Sequence, residues 1–163
     1  MGNSNFERLI QLADSVFSTR NDPDQLDVDQ DVLAHLENIH PNCVSELDEG
    51  EGPVCWVLMF PTTHALMQLF LKEEISEKEL YNRTPLNTKY DCIYLCSALV
   101  LEEFRRKGIA SQLGIKAIEE IKKAHPIEQL FVWAFTPEGD TASEKLAQLA
   151  NLPLLKRTSK MHS

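Results

Sequence analysis

The sequence predicts one mixed α/β (α+β) domain in which a central β-sheet is flanked by helices. Two apolar segments at residues 43–47 and 54–60 are separated by a Gly- and Pro-containing turn, which predicts an antiparallel hairpin. A strand–helix–strand unit over residues 90–135 adds a parallel pair, which a right-handed crossover must join. The length of 163 residues suits a single domain with its own core. We therefore treat residues 1–163 as one domain.

The elements before residue 61 are two helices and the hairpin. Apolar residues recur at helical spacing over residues 5–18 and 29–39, which predicts two opening helices. The stretch between them is acidic and polar around Pro23, and predicts a loop. The two hairpin strands follow these helices.

Residues 61–89 predict two further short helices before the next strand. The first begins at Pro61 and runs to about Lys72. The second begins at Ser76, because Ser76 and Glu79 have the spacing of a capping box.

The C-terminal half alternates strands and helices. Residues 90–100 are apolar on both faces, a pattern typical of a central strand. The longest helix is predicted over residues 106–124, followed by a strand at 129–135. A short helix at 141–150 and a last strand at 152–157 complete the chain.

The charge balance limits the classes of partner. The chain has 16 Lys and Arg residues against 25 Asp and Glu residues, a formal net charge of −9. We therefore expect no nucleic-acid partner and no anionic membrane partner, and the charge weakly favours a cationic one.

Targeting and cysteine patterns point to a cytoplasmic protein with reduced thiols. No apolar run approaches the roughly 18 residues of a membrane span. The first residues have neither the basic nor the apolar region of a signal peptide. The four cysteines have no metal-ligand spacing, so we expect neither disulfides nor a bound metal.

The segment that carries chemistry is the turn between the buried strand and the longest helix. The first turn of a helix exposes backbone N–H groups and a partial positive charge, which together attract anions. Arg105, Arg106 and Lys107 add three positive charges to an otherwise acidic protein. Gly108 lets the backbone approach a phosphate closely, and Ala110 keeps the next turn small. The turn therefore predicts a phosphate site, with a solvated basic helix start as the alternative.

The pattern Arg105-x-x-Gly108-x-Ala110 is similar to the acyl-CoA motif R/Q-x-x-G-x-G/A of the GCN5-related N-acetyltransferase (GNAT) superfamily. Val100 and Phe104 also stand where the family places the end of an apolar strand and an aromatic residue. The order of elements after the motif follows that of the family.

The resemblance covers residues 90–157 well and the first 60 residues loosely. It implies a GNAT-like mixed, mostly antiparallel sheet that contains a parallel pair of splayed strands. Residues 61–89 are then a helical insertion, since the family commonly joins the corresponding strands by a simple turn.

The resemblance implies an N-acetyltransferase activity. A primary amine would attack the thioester of acetyl-CoA directly, and acetyl-CoA would be the co-substrate. The resemblance implies an amine acceptor, which would be a small molecule, such as a polyamine or an amino sugar, or a protein amine. The alternatives are a non-catalytic acyl-CoA sensor or interaction module of the same fold, and a transferase for a longer acyl group. A homodimer is left open.

The resemblance also implies which residues contact the co-substrate. The strand before the motif would pair with the pantetheine arm through Ala98, Leu99 and Val100. The residues expected at the diphosphate are Arg105, Arg106, Lys107, Gly108, Ile109, Ala110 and Ser111. Asp140 stands where the family often has an Asn that contacts the cofactor, although it is also a candidate N-cap of the helix at 141–150.

Catalytic residues carry over poorly from the family. Many members have a Glu six residues before the position of Val100, where this chain has Tyr94. The Tyr that many members use to protonate the thiolate corresponds to Ala147 here. We predict Tyr94 as the catalytic residue, because a buried hydroxyl needs a polar partner. Weaker candidates are Glu46, His64 and Cys96.

Overall fold

The computed structural model describes residues 4–5, 7–12, 30–48, 50–105, 108–133 and 137–157. The helices of this part are α1 (7–12), α2 (Gln30–Ile39), α3 (His64–Leu71), α4 (Glu77–Arg83), α5 (Ile109–Ala124) and α6 (Pro137–Ala150). The strands are β1 (Val44–Asp48), β2 (Pro53–Thr62), β3 (Cys92–Val100), β4 (Gln129–Val132) and β5 (Leu154–Lys156). Short 3-10 turns occupy Pro41–Cys43 and Glu102–Phe104.

The five strands form one mixed sheet in the order β1-β2-β3-β4-β5. β1 with β2 and β2 with β3 pair antiparallel, whereas β3 with β4 and β4 with β5 pair parallel. This confirms the predicted mixed, mostly antiparallel sheet with its parallel β3–β4 pair. The second parallel pair was not predicted.

The connection between β2 and β3 starts later than predicted. β2 is buried along its whole length and pairs with β3 up to Thr62, so Pro61 belongs to the strand and not to the next helix. The two predicted helices follow as α3 and α4, and the capping box is present. Ser76 Oγ accepts from Glu79 N at 3.0 Å, and Glu79 Oε1 accepts from Ser76 N at 3.2 Å.

α3 and α4 cover an aromatic face of the sheet. This face includes Phe60 on β2, Tyr94 on β3 and Phe131 on β4, all fully buried. The ring of Phe70 from α3 lies 5.2 Å from that of Tyr94, and Tyr81 from α4 lies 6.2 Å from Phe60. The connection is therefore part of the core.

The crossover helices α5 and α6 pack against each other. They belong to two successive parallel units that run in the same direction, and right-handed crossovers place such helices on one face of a sheet. Gly114 of α5 allows their close approach. A Cβ at that position would lie 2.8 Å from Leu146 Cδ2 of α6.

In the described part of the chain, no helix is both long enough and apolar enough to span a bilayer. Likewise, no group of three or more His, Cys, Asp or Glu side chains there is arranged to hold a metal ion. The four cysteines are buried and form no disulfide. Burial raises the pKa of Cys55 to about 11 and that of Cys92 to about 12, which keeps these thiols protonated.

Candidate functional site

β3 and β4 are paired over only part of β3. Their register runs from Cys92 opposite Gln129 to Leu95 opposite Val132. β3 then continues for five more residues, to Val100, while it stays paired with β2. Among the described residues, no further β3–β4 pair follows. We call the edge of β3 beyond the Leu95–Val132 pair, along which the described residues provide no β4 partner, the wedge.

A β-bulge lies at the closed end of the wedge. Leu58 of β2 pairs with Ser97 and Met59 pairs with Leu95, so Cys96 is the additional residue of β3. A bulge bends its strand and increases the local twist. The bulge therefore follows directly after the last described β3–β4 pair.

The backbone of Ala98 and Val100 is directed into the wedge. Leu101 N donates to Val54 O of β2 at 3.0 Å, so Leu101 faces β2. Residues of an antiparallel strand alternate between facing the partner and facing away. Leu99 therefore also faces β2, and its side chain is 2% exposed. Of the three residues predicted along the pantetheine arm, two offer backbone groups to the wedge.

A hydrogen bond from Arg105 supports this assignment and stabilises the turn after β3. Its Nε donates to Val100 O at 3.0 Å, which requires the Val100 carbonyl to point away from β2. The turn itself is closed by Phe104 N donating to Leu101 O at 2.9 Å. The Val100 N–H and the polar groups of Ala98 remain directed into the wedge.

α5 begins at an uncapped, left-handed glycine. Gly108 is its N-cap with φ 74° and ψ 10°, a conformation that disfavours any residue with a Cβ. A Cβ there would meet no atom within 4 Å, so the space in front of the turn is open. No described side chain caps this end, and the first turn holds no acidic residue. The first N–H groups of the helix, from Ile109, Ala110 and Ser111, are therefore available to an anion. We call this start of α5 the anion site, and the binding of a diphosphate there stays a prediction.

Three predicted contact residues are described incompletely. Arg106 and Lys107 lie outside the described residues, and of Asp140 only the helical backbone is described. Asp140 is the fourth residue of α6 and not its N-cap, because the helix begins at Pro137. Proline is favoured at the first helical position, where no N–H is needed. A contact of Asp140 with the cofactor stays a prediction.

An ion pair holds α1 against the turn that precedes α5. Arg8 donates to both carboxylate oxygens of Glu103, at 2.8 and 2.6 Å. The hydrogen bond from Arg8 is the main reason why the pKa of Glu103 is lowered to about 2. Glu103 is therefore ionised, and its charge is balanced beside the anion site.

Tyr94 lies one residue before the last β3–β4 pair, at the closed end of the wedge. Its hydroxyl donates to the Glu77 carboxylate of α4, and both side chains are fully buried. Its ring also packs against Phe60 and Phe131, at centroid distances of 5.4 and 5.1 Å. This burial favours a packing role, and the catalytic role of Tyr94 stays a prediction.

Two buried charged residues escaped the sequence analysis. Glu77 follows a helix cap, where an exposed side chain is typical, and no local signal indicates its contact with β3. Arg157 follows β5 and is 2% exposed. Its guanidinium lies 4.2 Å from the Trp133 ring centroid and 4.6 Å from that of Phe70, and Nη1 donates to Ile75 O at 3.0 Å.

The three weaker catalytic candidates do not lie beside the contacts of Tyr94 and Glu77. His64 contacts Gln129 at 3.2 Å, beside the first β3–β4 pair and away from the wedge. Glu46 is exposed on β1, at the far edge of the sheet. Cys96 is buried at the bulge.

A family comparison agrees with the observed fold. The model of the acetyltransferase (GNAT) family matches residues 17–150, which include most of the chain and all of β3 and α5. Comparisons with curated proteins and with solved structures found no match. The chain therefore belongs to the GNAT family of acetyltransferases.

Proposed function

We propose that the chain is an N-acetyltransferase that moves an acetyl group from acetyl-CoA to a primary amine. The observation that carries this proposal is the combination of the wedge with the start of α5. The wedge offers backbone hydrogen-bonding groups along β3, and the start of α5 offers helix N–H groups to an anion.

The described residues fit a thioester substrate with a diphosphate. Gly108 leaves open space in front of the first turn of α5, where a diphosphate would be held by N–H groups. Ala98 and Val100 offer strand edges to an amide-containing arm. Acetyl-CoA has both parts, and it supplies an activated acetyl group.

The backbone of β3 also suits the charge that develops during transfer. An N–H group fixed in a folded strand stabilises an oxyanion, because it needs no reorganisation as charge develops. The N–H of Val100 is our candidate donor. Tyr94 is the candidate for proton transfer because it lies at the closed end of the wedge.

The acceptor is proposed to be a small-molecule or protein amine, with a cationic one favoured by the net charge of −9. Nucleic acid and membrane partners are not expected, and a homodimer stays open. The cytoplasmic location expected from the sequence remains a prediction.

Two observations favour a second candidate function, a non-catalytic acyl-CoA sensor. Tyr94 is fully buried under α3 and α4, and the position of the usual family tyrosine holds Ala147, which is itself buried. A chain that binds acetyl-CoA without turnover would match these two features.

Two assays separate the candidates. Acetyl-CoA at about 100 times Kd should raise the free energy of unfolding by about 2.7 kcal/mol. Release of free thiol should then be followed with spermidine, glucosamine and a lysine-containing peptide. Stabilisation with thiol release supports the transferase, whereas stabilisation without release from any of these amines supports the sensor.

A further inference from the structure

Two histidines meet where the ends of α2 and α5 approach the segment before β3. His40 follows α2 and His125 ends α5, and their ring centroids are 6.1 Å apart. We propose that this histidine pair is a pH-sensitive contact, which holds the three segments together while both rings are neutral and opens when both rings take up a proton. The proposal does not depend on acetyl transfer.

The first argument is the direction of two hydrogen bonds. The backbone N–H of Asn42 donates to His40 Nδ1 at 3.0 Å. The backbone N–H of Tyr90 donates to His125 Nδ1 at 3.4 Å. Because a backbone N–H can only donate, both Nδ1 atoms are unprotonated acceptors, and each neutral ring carries its hydrogen on Nε2. A proton taken up by either ring must therefore go to Nδ1 and break the hydrogen bond made there.

The second argument is that these contacts join separate parts of the chain. Tyr90 and His125 are 35 residues apart, and their ring centroids lie 4.6 Å from each other. His40 caps the 3-10 turn that follows α2, and this turn ends at the fully buried Cys43. The contact between the two histidine rings connects that turn with the end of α5. Loss of both hydrogen bonds would thus release the turn from α5, and α5 from the segment before β3.

The third argument is that the closed contact resists protonation. Burial is the main reason why the pKa of each histidine is lowered from 6.5. A charge on His40 lowers the pKa of His125 further, since the two rings are neighbours. The closed form therefore excludes protons that the released histidines accept near their ordinary pKa. The contact is fully stable above pH 6.5 and weakens as the pH falls below this value.

The neighbouring charges do not reverse this sign. Lys89 donates to Ala124 O at 2.9 Å, and its charge also lowers the pKa of His125. Glu120 of α5 acts in the opposite direction on His40, but less strongly than burial does, and its carboxylate is paired with Lys123 at 2.8 Å.

The other two titratable groups of the cluster are Cys43 and Tyr90. Burial raises the pKa of both, so neither supplies a negative charge that would stabilise a protonated histidine.

The test measures amide hydrogen exchange of the two donors, Asn42 and Tyr90, as protection factors at several pH values. His40→Asn and His125→Asn are the test variants, because an amide oxygen still accepts from the backbone but takes up no proton. Between about pH 7.5 and 5.5, wild-type protection should fall by up to about 100-fold, since opening takes up two protons. Each single variant should lose up to about tenfold, and the double variant should stay constant within about twofold.

Two controls separate the contact from other effects of pH. His64→Asn replaces an exposed histidine outside the pair and should keep the full wild-type response. Leu130 of β4 reports on the core, since it is fully buried and its N–H donates to Pro153 O at 2.9 Å. Protection at the two donors should lie about tenfold or more below that of Leu130, because the contact opens without unfolding of the core.

Three results would overturn the proposal. The first is wild-type protection at Asn42 and Tyr90 that changes by less than about twofold over this pH range. The second is a fall in the double variant as large as that of the wild type. The third is protection equal to that of Leu130, which would mean that the pair opens only when the whole chain unfolds. If the double variant does not fold, the single variants decide, since an undiminished fall in both would contradict an opening that takes up two protons.

Discussion

Gly108 is the residue at which the fold and the proposed binding site can be tested separately. Its φ of 74° lies in the left-handed region, and a Cβ at this position would meet nothing within 4 Å. Gly108→Ala should therefore lower the free energy of unfolding through its backbone conformation alone, without a steric clash. Any loss of acetyl-CoA binding would come from the space in front of α5.

The expected loss of stability is small. Holding a residue with a Cβ in the left-handed region costs about 1–2 kcal/mol. The lower conformational entropy of the unfolded alanine variant offsets about 0.4–1 kcal/mol of this cost. Gly108→Ala should therefore lower the free energy of unfolding by about 1 kcal/mol, and Tm by about 2–4 °C.

Gly108→Glu tests the anion site, with Gly50→Glu as its matched control. Gly50 also has a positive φ, of 111°, and open space for a Cβ, but it lies in the β1–β2 loop. Acetyl-CoA at about 100 times Kd should raise the Tm of the wild type by about 5–10 °C. The same shift should persist in Gly50→Glu and disappear in Gly108→Glu, where the carboxylate repels a diphosphate.

Two results would refute this reasoning. A Tm of Gly108→Ala equal to or above that of the wild type would contradict the left-handed conformation. An unchanged acetyl-CoA shift in Gly108→Glu would show that the diphosphate is not bound at the start of α5.

Three further predictions concern packing and pH. Gly114→Ala should cost about 0–2 kcal/mol in a melt, because the new Cβ would lie 2.8 Å from the flexible end of Leu146 while alanine gains about 1 kcal/mol of helix propensity, and the cost should disappear in a Leu146→Val background. Burial lowers the pKa of His40 and His125 below 6.5, so the free energy of unfolding should fall as pH drops from about 7.5 to 5. A flat pH profile would contradict that burial. Arg157→Ala should lose about 2–4 kcal/mol of stability, since it removes a buried guanidinium stacked on two rings.

The sheet and its crossover were predictable because their signals are local. β3 is apolar on both faces, as a central strand must be, and α5 repeats its apolar residues at helical spacing. The proposed anion site was also inferred from a local signal, since a glycine between a strand and a long helix is a pattern of adjacent residues, and anion binding there stays a prediction. The observed φ at Gly108 adds a conformational requirement that the pattern alone does not show.

The buried polar contacts were not predictable because they join distant parts of the chain. Glu77 and Tyr94 are 17 residues apart, and Arg157 reaches Ile75 across 82 residues. The sequence around Glu77 has the form of an exposed helix start, so tertiary packing overrides the local pattern. The early start of α6 at Pro137 was missed because Gly139, two residues later, disfavours a helix and is typical of a loop.

Isothermal titration of the purified chain with coenzyme A and with acetyl-CoA tests the central claim most directly. Binding at the wedge and the start of α5 predicts saturable heat with one site per chain for both compounds, and competition between them. The absence of heat from either compound would contradict the claim and remove the basis of both the transferase and the sensor.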